Sequence, residues 1–231
     1  ALVILSAKAT LEQKPKDTYG FAYRKANHCS LTYQQLIKIA SSIELIHMAS
    51  LIHDDVIDHA RFRHNKPTIN QKFGQEASIV LGDYLYSIGF ELISSSRNPD
   101  MLSCIACATK AMCEGELIQV CERDNLELLK KRYIMIAKKK TASLFIASCQ
   151  AGAVFSNCKA SVEHTLGGYG LNFGIAFQII DDYLDLVGSV EDLGKPPGAD
   201  FKMGELTLPV LNLLTQAKDK NRLLSLIKQQ D

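Results

Sequence analysis

The distribution of proline constrains the fold of this chain more than any other feature. The 231 residues include only six prolines, and none lies between Pro99 and Pro196. Because proline removes a backbone donor and breaks helices, a gap of this length favours long, uninterrupted helices. Sustained period-two alternation, the pattern of strands, is absent from the sequence. We therefore predict one all-α domain over residues 1–231, with a looser Gly/Pro segment from Gly188 to Pro209.

The spacing of apolar residues predicts where the helices lie. Thr32 and Gln35 form a possible capping box, and the helix that follows should run to about Asp58, because Pro67 lies not far beyond. Similar spacing predicts further helices at about 77–94, 101–121, 127–156, 161–187 and 218–229. The best-marked connection is Ser94–Asp100, whose Asn-Pro pair is typical of a turn.

Composition narrows the class of protein. Lys and Arg total 26 against 25 Asp and Glu, a net charge of +1 that gives no general reason to expect nucleic-acid binding. No stretch reaches the roughly 18 to 20 uncharged apolar residues of a membrane span, and no signal-peptide pattern is present. We predict a cytoplasmic protein without a membrane span; an organelle-targeting segment upstream of Ala1 stays open as an alternative. Seven cysteines, an odd number, indicate reduced core residues.

Two acidic clusters with the same D-D-x-x-D spacing, Asp54–Asp58 and Asp181–Asp185, are the strongest chemical signal. In each cluster the first and last aspartates share a helix face near the expected C-terminal end of the helix, where mutual repulsion and the macrodipole both disfavour anions. A solvated acidic helix end is one explanation of a single cluster. A bound divalent cation offsets both penalties, and carboxylates suit Mg²⁺. The predicted metal ligands are Asp54, Asp55, Asp58, Asp181, Asp182 and Asp185.

Cations and two weaker motifs accompany the aspartates. Several basic residues follow the clusters or lie between them, and such cations would bind a diphosphate. They are Arg61, Arg63, Lys66, Lys140, Lys195 and Lys202. Glu44–His47 is an E-x-x-H, half of a di-iron signature, but the sequence has no second copy, so His47 and His53 are expected to lie in the core or to contact metal ligands rather than a metal. Cys104 and Cys107 form a lone C-x-x-C without the second pair that a zinc site needs.

The segments around these motifs resemble the trans-isoprenyl diphosphate synthase family, the polyprenyl diphosphate synthases. Residues Glu44–Gly74 resemble its first aspartate-rich region and Phe177–Pro209 the second, with GELIQ at 115–119 and KTASLF at 140–145 between them. The resemblance implies an isoprenoid-synthase-like helical bundle around a deep apolar cavity, with N- and C-terminal parts beyond the present chain. Terpene cyclases share that fold, but their second metal motif is usually of the N/D-S/T-E type.

The resemblance also implies the roles of individual residues. The Mg²⁺ ions, three per site, would be bound by Asp54, Asp58 and Asp181, with Asp55 and Asp185 in support. The allylic diphosphate would contact Arg63, Lys140 and Lys195. Thr141 and Gln178 would lie beside the reacting carbons. The implied enzyme is a Mg²⁺-dependent prenyltransferase, a homodimer, that condenses isopentenyl diphosphate with an allylic diphosphate.

Departures from the family pattern leave an alternative open. His64 stands where the family usually has an arginine that contacts isopentenyl diphosphate, and Glu205 where a lysine is common. A Gly-Lys-x-x-Arg segment that normally precedes the position of Ala1 is not in the sequence. The alternative is a non-catalytic or regulatory subunit of a heteromeric synthase.

Product length follows from two small residues. Ala49 and Ser50 are the fifth and fourth residues before Asp54, about one helical turn deeper on its face. Short-chain family members carry an aromatic there that floors the cavity. We therefore predict a long-chain product of roughly six to ten isoprene units, since each turn of about 5.4 Å admits on the order of one unit.

Overall fold

The computed structural model describes residues 1–12, 26–63, 65–122, 126–188 and 207–217, with 219 and 222, and they are almost entirely helical. The helices are α1 (Leu2–Glu12), α2 (Ala26–Ile57), α3 (Ile69–Phe73), α4 (Gln75–Ser94), α5 (Pro99–Glu122), α6 (Leu126–Ala137), α7 (Ser143–Phe155), α8 (Ala160–Val187) and α9 (Leu208–Gln216). A π-helical segment, Lys138–Ala142, joins α6 to α7. A two-stranded antiparallel ribbon, β1 (Phe62–Arg63) and β2 (Lys66–Pro67), follows α2.

The all-α prediction is confirmed, and α4, α5, α6–α7 and α8 lie within two residues of their predicted bounds. Helices α1 and α3 and the β1–β2 ribbon were not predicted, and two further helices differ from the prediction. Helix α2 begins at Ala26 rather than near Thr32, because no glycine or proline interrupts residues 26–57. Helix α9 lies partly in the segment predicted to be loose, with Pro209 in its first turn, where a missing N–H costs nothing. The helix predicted at 218–229 falls almost entirely outside the described residues.

The core is built where α1, α2, α4, α5 and α7 meet. Helix α2 supplies buried residues at helical spacing, Leu36, Ile39, Ile43 and Ile46, as the apolar pattern predicted. Its partners in the same cluster are Val3, Ala7, Ile93, Met101, Ile105 and Ala151. Helix α2 packs lengthwise against α4, and this contact holds the C-terminal end of α2, where the first aspartate cluster lies.

Two sequence expectations are modified by the structure. Residues Tyr33–Ile57 of α2 are long and apolar enough to cross a membrane by length and composition, although they include charged residues, and core helices of globular proteins meet the same criterion. The six cysteines whose side chains are described are free, as predicted. Three of them are exposed on α5 rather than buried in a core, namely Cys107, Cys113 and Cys121.

The π-helical segment lies between two helices that approach it very closely. On α5, a Cβ at Gly115 would lie 2.6 Å from the backbone nitrogen of Lys140. On α8, a Cβ at Gly174 would lie 2.5 Å from the Cα of Ala142. Real Cβ atoms do not come so near to backbone, so only glycine permits this spacing. The two glycines thus set the position of the π-helical segment relative to α5 and α8.

Gly174→Ala should separate α8 from the π-helical segment and lower the free energy of unfolding by about 1 to 3 kcal/mol, the usual cost of overpacking. Gly168→Ala is the matched control on the same helix, because a Cβ there meets nothing within 4 Å. That control should be neutral or stabilising by up to about 1 kcal/mol through helix propensity. Urea unfolding of both variants measures the difference, and equal effects at the two positions would contradict the close approach.

Candidate functional site

The first aspartate cluster forms the last turn of α2. The backbone N–H of Asp58 donates to the carbonyl of Asp54 at 2.8 Å, so both side chains leave the same end of the helix. Asp55 is turned inward and is 6% exposed. Arg63 returns to it from β1, with Nε and Nη2 at 3.0 and 2.9 Å from Asp55 Oδ1. The ribbon that carries Arg63 therefore closes over the end of α2.

The local sequence explains how the chain reverses so sharply after α2. His59 and Asn65 both adopt positive φ, 50° and 60°, which end the helix and turn the ribbon. Thr68 then fixes the exit of the ribbon, since its hydroxyl donates to the carbonyl of Ala60 at 2.7 Å and accepts from the N–H of Gln71 at the start of α3. Arg63 is thus held on a short, anchored turn.

Asp54 lies in an unusual electrostatic environment. Burial raises the pKa of its carboxyl to about 7, and the nearby carboxylates of Glu116 and Asp58 act in the same direction. Lys140 and Arg63 oppose the shift without cancelling it. These five groups come from α2, β1, α5 and the π-helical segment, which the fold brings together around Asp54. Burial thus outweighs the two cations and disfavours the ionised form of the Asp54 carboxyl.

Glu116 is a member of this group to which the sequence analysis assigned no role. Its Oε2 lies 2.6 Å from Lys140 Nζ, and its Oε1 is buried without a hydrogen-bond partner among the described residues. The signal available in the sequence was the GELIQ segment at 115–119, in which Gly115 permits the close approach and Glu116 faces the lysine. Glu116 therefore holds Lys140 beside the first aspartate cluster.

The next residue along the π-helical segment faces the other way. The Thr141 hydroxyl donates to Gln178 Oε1 on α8, and Gln178 Nε2 donates to Asp182 Oδ1 at 2.8 Å. Lys140 and Thr141 are adjacent in sequence, yet they contact α5 and α8 respectively. The π-helical segment thereby links the surroundings of the first aspartate cluster to those of the second.

The three aspartates of the second cluster have different surroundings. Asp181 is exposed, whereas Asp185 is buried. Asp182 is 5% exposed and accepts hydrogen bonds from Gln178, from the Tyr133 hydroxyl at 2.7 Å and from the N–H of Leu208 at 3.1 Å. Protein donors thus surround a residue that was predicted to be a metal ligand. Tyr133 had no role in the sequence analysis, and nothing in its local pattern indicated one.

Not every predicted site residue can be compared with the structure. Ala49 is fully buried, and Ser50 donates to the carbonyl of His47 at 2.8 Å. His64, Lys195, Lys202 and Glu205 lie outside the described residues. Within the described part of the chain, no three His, Cys, Asp or Glu side chains gather closely enough to hold a metal ion by themselves. A cation here would need ligands from elsewhere, such as a bound anion.

Known proteins resemble the whole chain. The family profile described as polyprenyl synthetase matches residues 2–231. The heptaprenyl diphosphate synthase component 2 of Bacillus subtilis is 38% identical over 185 residues, which are 80% of this chain and 53% of that protein. The octaprenyl diphosphate synthase of Escherichia coli is 36% identical over 178 residues, 77% of this chain and 55% of that protein. The chain thus spans about half the length of these curated relatives.

Solved structures agree with the sequence comparison. A polyprenyl synthase from Caulobacter crescentus, crystallised with calcium and isoprenyl diphosphate, superposes with a TM-score of 0.82 at 32% sequence identity. The superposition covers 99% of this chain and 64% of that one. The helical order, the two aspartate clusters and the profile match over residues 2–231 all lead to the same result. The chain belongs to the polyprenyl synthetase family.

Proposed function

We propose that this chain carries the active site of a prenyltransferase that condenses isopentenyl diphosphate with an allylic diphosphate into a long-chain all-trans polyprenyl diphosphate. The observation that carries the proposal is the adjacency of Lys140 and Thr141 on the π-helical segment. Lys140 lies with Glu116 beside Asp54, and Thr141 lies with Gln178 on α8. A cation that would bind a diphosphate is thus next to polar oxygens that would face a reacting carbon.

The carboxylates around Asp54 fit a hard divalent cation, for which we propose Mg²⁺, three per site. Asp54 and Asp58 supply oxygen donors on one helix end. Burial raises the pKa of Asp54, the carboxylates of Glu116 and Asp58 add to that shift, and a bound cation would oppose it. Without a ready cluster of three ligands among the described residues, Mg²⁺ would share its shell with the substrate diphosphate, as this ion commonly does. When bound, the ions would neutralise charge on the departing diphosphate.

Different side chains of the site would have different roles in the reaction. Lys140, with Arg63 and Lys195, would bind the allylic diphosphate and stabilise it as the C–O bond breaks and the electron pair leaves with the diphosphate. The oxygens of Thr141 and Gln178 would face the positive charge left on the allylic carbon. The double bond of isopentenyl diphosphate then forms the new C–C bond, and a proton is lost from the adjacent carbon to the released diphosphate.

The long-chain class is supported by the residues one turn before the first cluster and by the relatives. Ala49 and Ser50 leave no aromatic side chain at the position that floors the cavity in short-chain members. The relatives described above are named heptaprenyl and octaprenyl diphosphate synthases. We propose a product of about six to ten isoprene units, with each turn of helix below the site admitting roughly one unit.

A second candidate function is a subunit of a heteromeric synthase, in place of a homodimer that is active alone. The Bacillus subtilis relative is named component 2 of its synthase, and a second relative of that name, from Geobacillus stearothermophilus, is 37% identical over 187 residues. The departures from the family pattern at His64 and Glu205 also favour this second candidate. The purified chain, assayed alone and as the His64→Arg variant, separates the two: an inactive chain that the substitution or a partner activates would favour the heteromer.

Removal of the carboxylate at Asp54 should abolish chain growth. We expect Asp54→Asn to lower kcat/KM for labelled isopentenyl diphosphate at least about a hundredfold, because the metal that would neutralise the diphosphate loses a ligand. EDTA should have the same effect, reversed by Mg²⁺. Asp100→Asn is the matched control, an exposed aspartate in the first turn of α5. Full activity of the Asp54 variant, or equal loss in both variants, would be incompatible with the proposed site.

A large side chain one turn before Asp54 should shorten the product. Ala49→Phe places a ring at a fully buried position on α2, so we expect the longest product to lose several isoprene units while the polyprenyl diphosphate is still made. Met48→Phe is the matched control, because Met48 is 44% exposed on the same helix. Chromatography of dephosphorylated products measures the lengths, and an unchanged product distribution for Ala49→Phe would refute the assignment.

A further inference from the structure

A chain of hydrogen bonds runs from α6 to the π-helical segment through α8. The Tyr133 hydroxyl donates to Asp182 Oδ2 at 2.7 Å, and the backbone N–H of Leu208 donates to the same oxygen at 3.1 Å. Gln178 Nε2 donates to the other oxygen, Oδ1, at 2.8 Å, and the Thr141 hydroxyl donates to Gln178 Oε1. We call these side chains, Tyr133, Asp182, Gln178 and Thr141, the relay.

The direction of every bond in the relay follows from the carboxylate. An ionised carboxylate accepts hydrogen bonds and donates none, so the Gln178 amide must turn its NH₂ group toward Asp182. Its oxygen then faces Thr141, and the Thr141 hydroxyl must donate to it. The lone pairs of Thr141 Oγ1 are thereby left to face a neighbouring positive centre. Burial and the Asp182 carboxylate raise the pKa of Tyr133, so its hydroxyl remains a donor.

We propose that Asp182 acts as a positioning residue, held by Tyr133 and the start of α9, that orients Gln178 and Thr141 with their oxygens toward the reacting allylic carbon. This assignment replaces the metal-ligand role predicted for Asp182 from the D-D-x-x-D spacing. Its kinetic consequence rests on the proposed function, because the oriented oxygens matter most when positive charge develops on the substrate. The orientation itself is independent of the reaction.

Asp182→Asn tests the direction of the relay. The new amide has one donor end and one acceptor end, and the backbone N–H of Leu208 cannot reverse, so the acceptor end is retained toward Leu208. The NH₂ group then faces Gln178, whose amide must flip and direct its own NH₂ group at Thr141. The Thr141 hydroxyl is forced to accept, which uses one of its two lone pairs and leaves its O–H group, no longer bonded to Gln178, among the atoms that can face the substrate.

A second substitution restores the original direction. In the double variant Asp182→Asn with Gln178→Glu, the amide introduced at position 182 donates to a carboxylate at position 178, whose other oxygen accepts from Thr141 as before. The total charge of the relay is unchanged, since one negative charge moves by a single helical turn. Gln178→Glu alone places two carboxylates against each other and should be unfavourable. The double variant therefore matches the wild type in hydrogen-bond direction and in total charge, and differs from it only in where the charge lies.

We expect Asp182→Asn to lower kcat about ten- to a hundredfold, with KM for the allylic diphosphate and the Mg²⁺ concentration for half-maximal rate unchanged. The double variant should recover at least about tenfold of that loss. Tyr133→Phe should give a smaller loss of kcat with the same unchanged KM. A rise in the Mg²⁺ requirement of Asp182→Asn without rescue in the double variant would overturn the proposal and restore the metal-ligand role.

A measurement without substrate keeps the two proposals separable. Urea unfolding is measured for the wild type, the two single variants and the double variant. We expect the double variant to be more stable than the sum of the two single effects predicts, with an unfolding equilibrium constant about tenfold smaller than that sum gives. If the wild-type chain makes no product, the proposed function fails while this coupling still tests whether residues 178 and 182 interact as the relay requires. Additive effects of the two substitutions would overturn the relay whatever the activity.

Discussion

The close approach of α5 and α8 to the π-helical segment is the constraint on which the site depends. Gly115 and Gly174 leave no side chain between these backbones, so the distance between the three elements is fixed by contact of main-chain atoms. Within the π-helical segment two successive residues, Lys140 and Thr141, point to different neighbours, Glu116 and Gln178.

The second aspartate has the same structural role in both clusters. Successive residues on a helix are about 100° apart, so the second aspartate of each cluster faces away from the first and toward neighbouring elements. Asp55 and Asp182, the second members, are both nearly buried, and each is held by a partner from another element, Arg63 for Asp55 and Tyr133 for Asp182. The spacing that suggests a pair of metal sites therefore also contains a pair of anchors that tie those sites to the fold.

Much of this fold could be predicted from the sequence, because the proline gap and the apolar spacing determine the long helices. The π-helical segment could not be predicted, since nothing in the sequence of Lys138–Ala142 distinguishes it from an ordinary helix, and the glycines that pack against it lie on two other helices. The same reason applies to Glu116 and Tyr133. Their roles arise from contacts across the bundle, to Lys140 and Asp182, which no local pattern records. The start of α2 differed because a favoured capping residue, Thr32, does not end a helix when the residues before it are also compatible with one.

The pairing of Arg63 with Asp55 and of Lys140 with Glu116 has a consequence for how ligands reach the site. Each of these two cations already lies against a carboxylate, so little positive field extends from them into the surrounding solvent. A bare anion gains no long-range attraction from such a site and must compete with carboxylates at contact. The encounter rate of an anionic ligand should then respond only weakly to ionic strength, in contrast to proteins that draw anions in through an open basic surface.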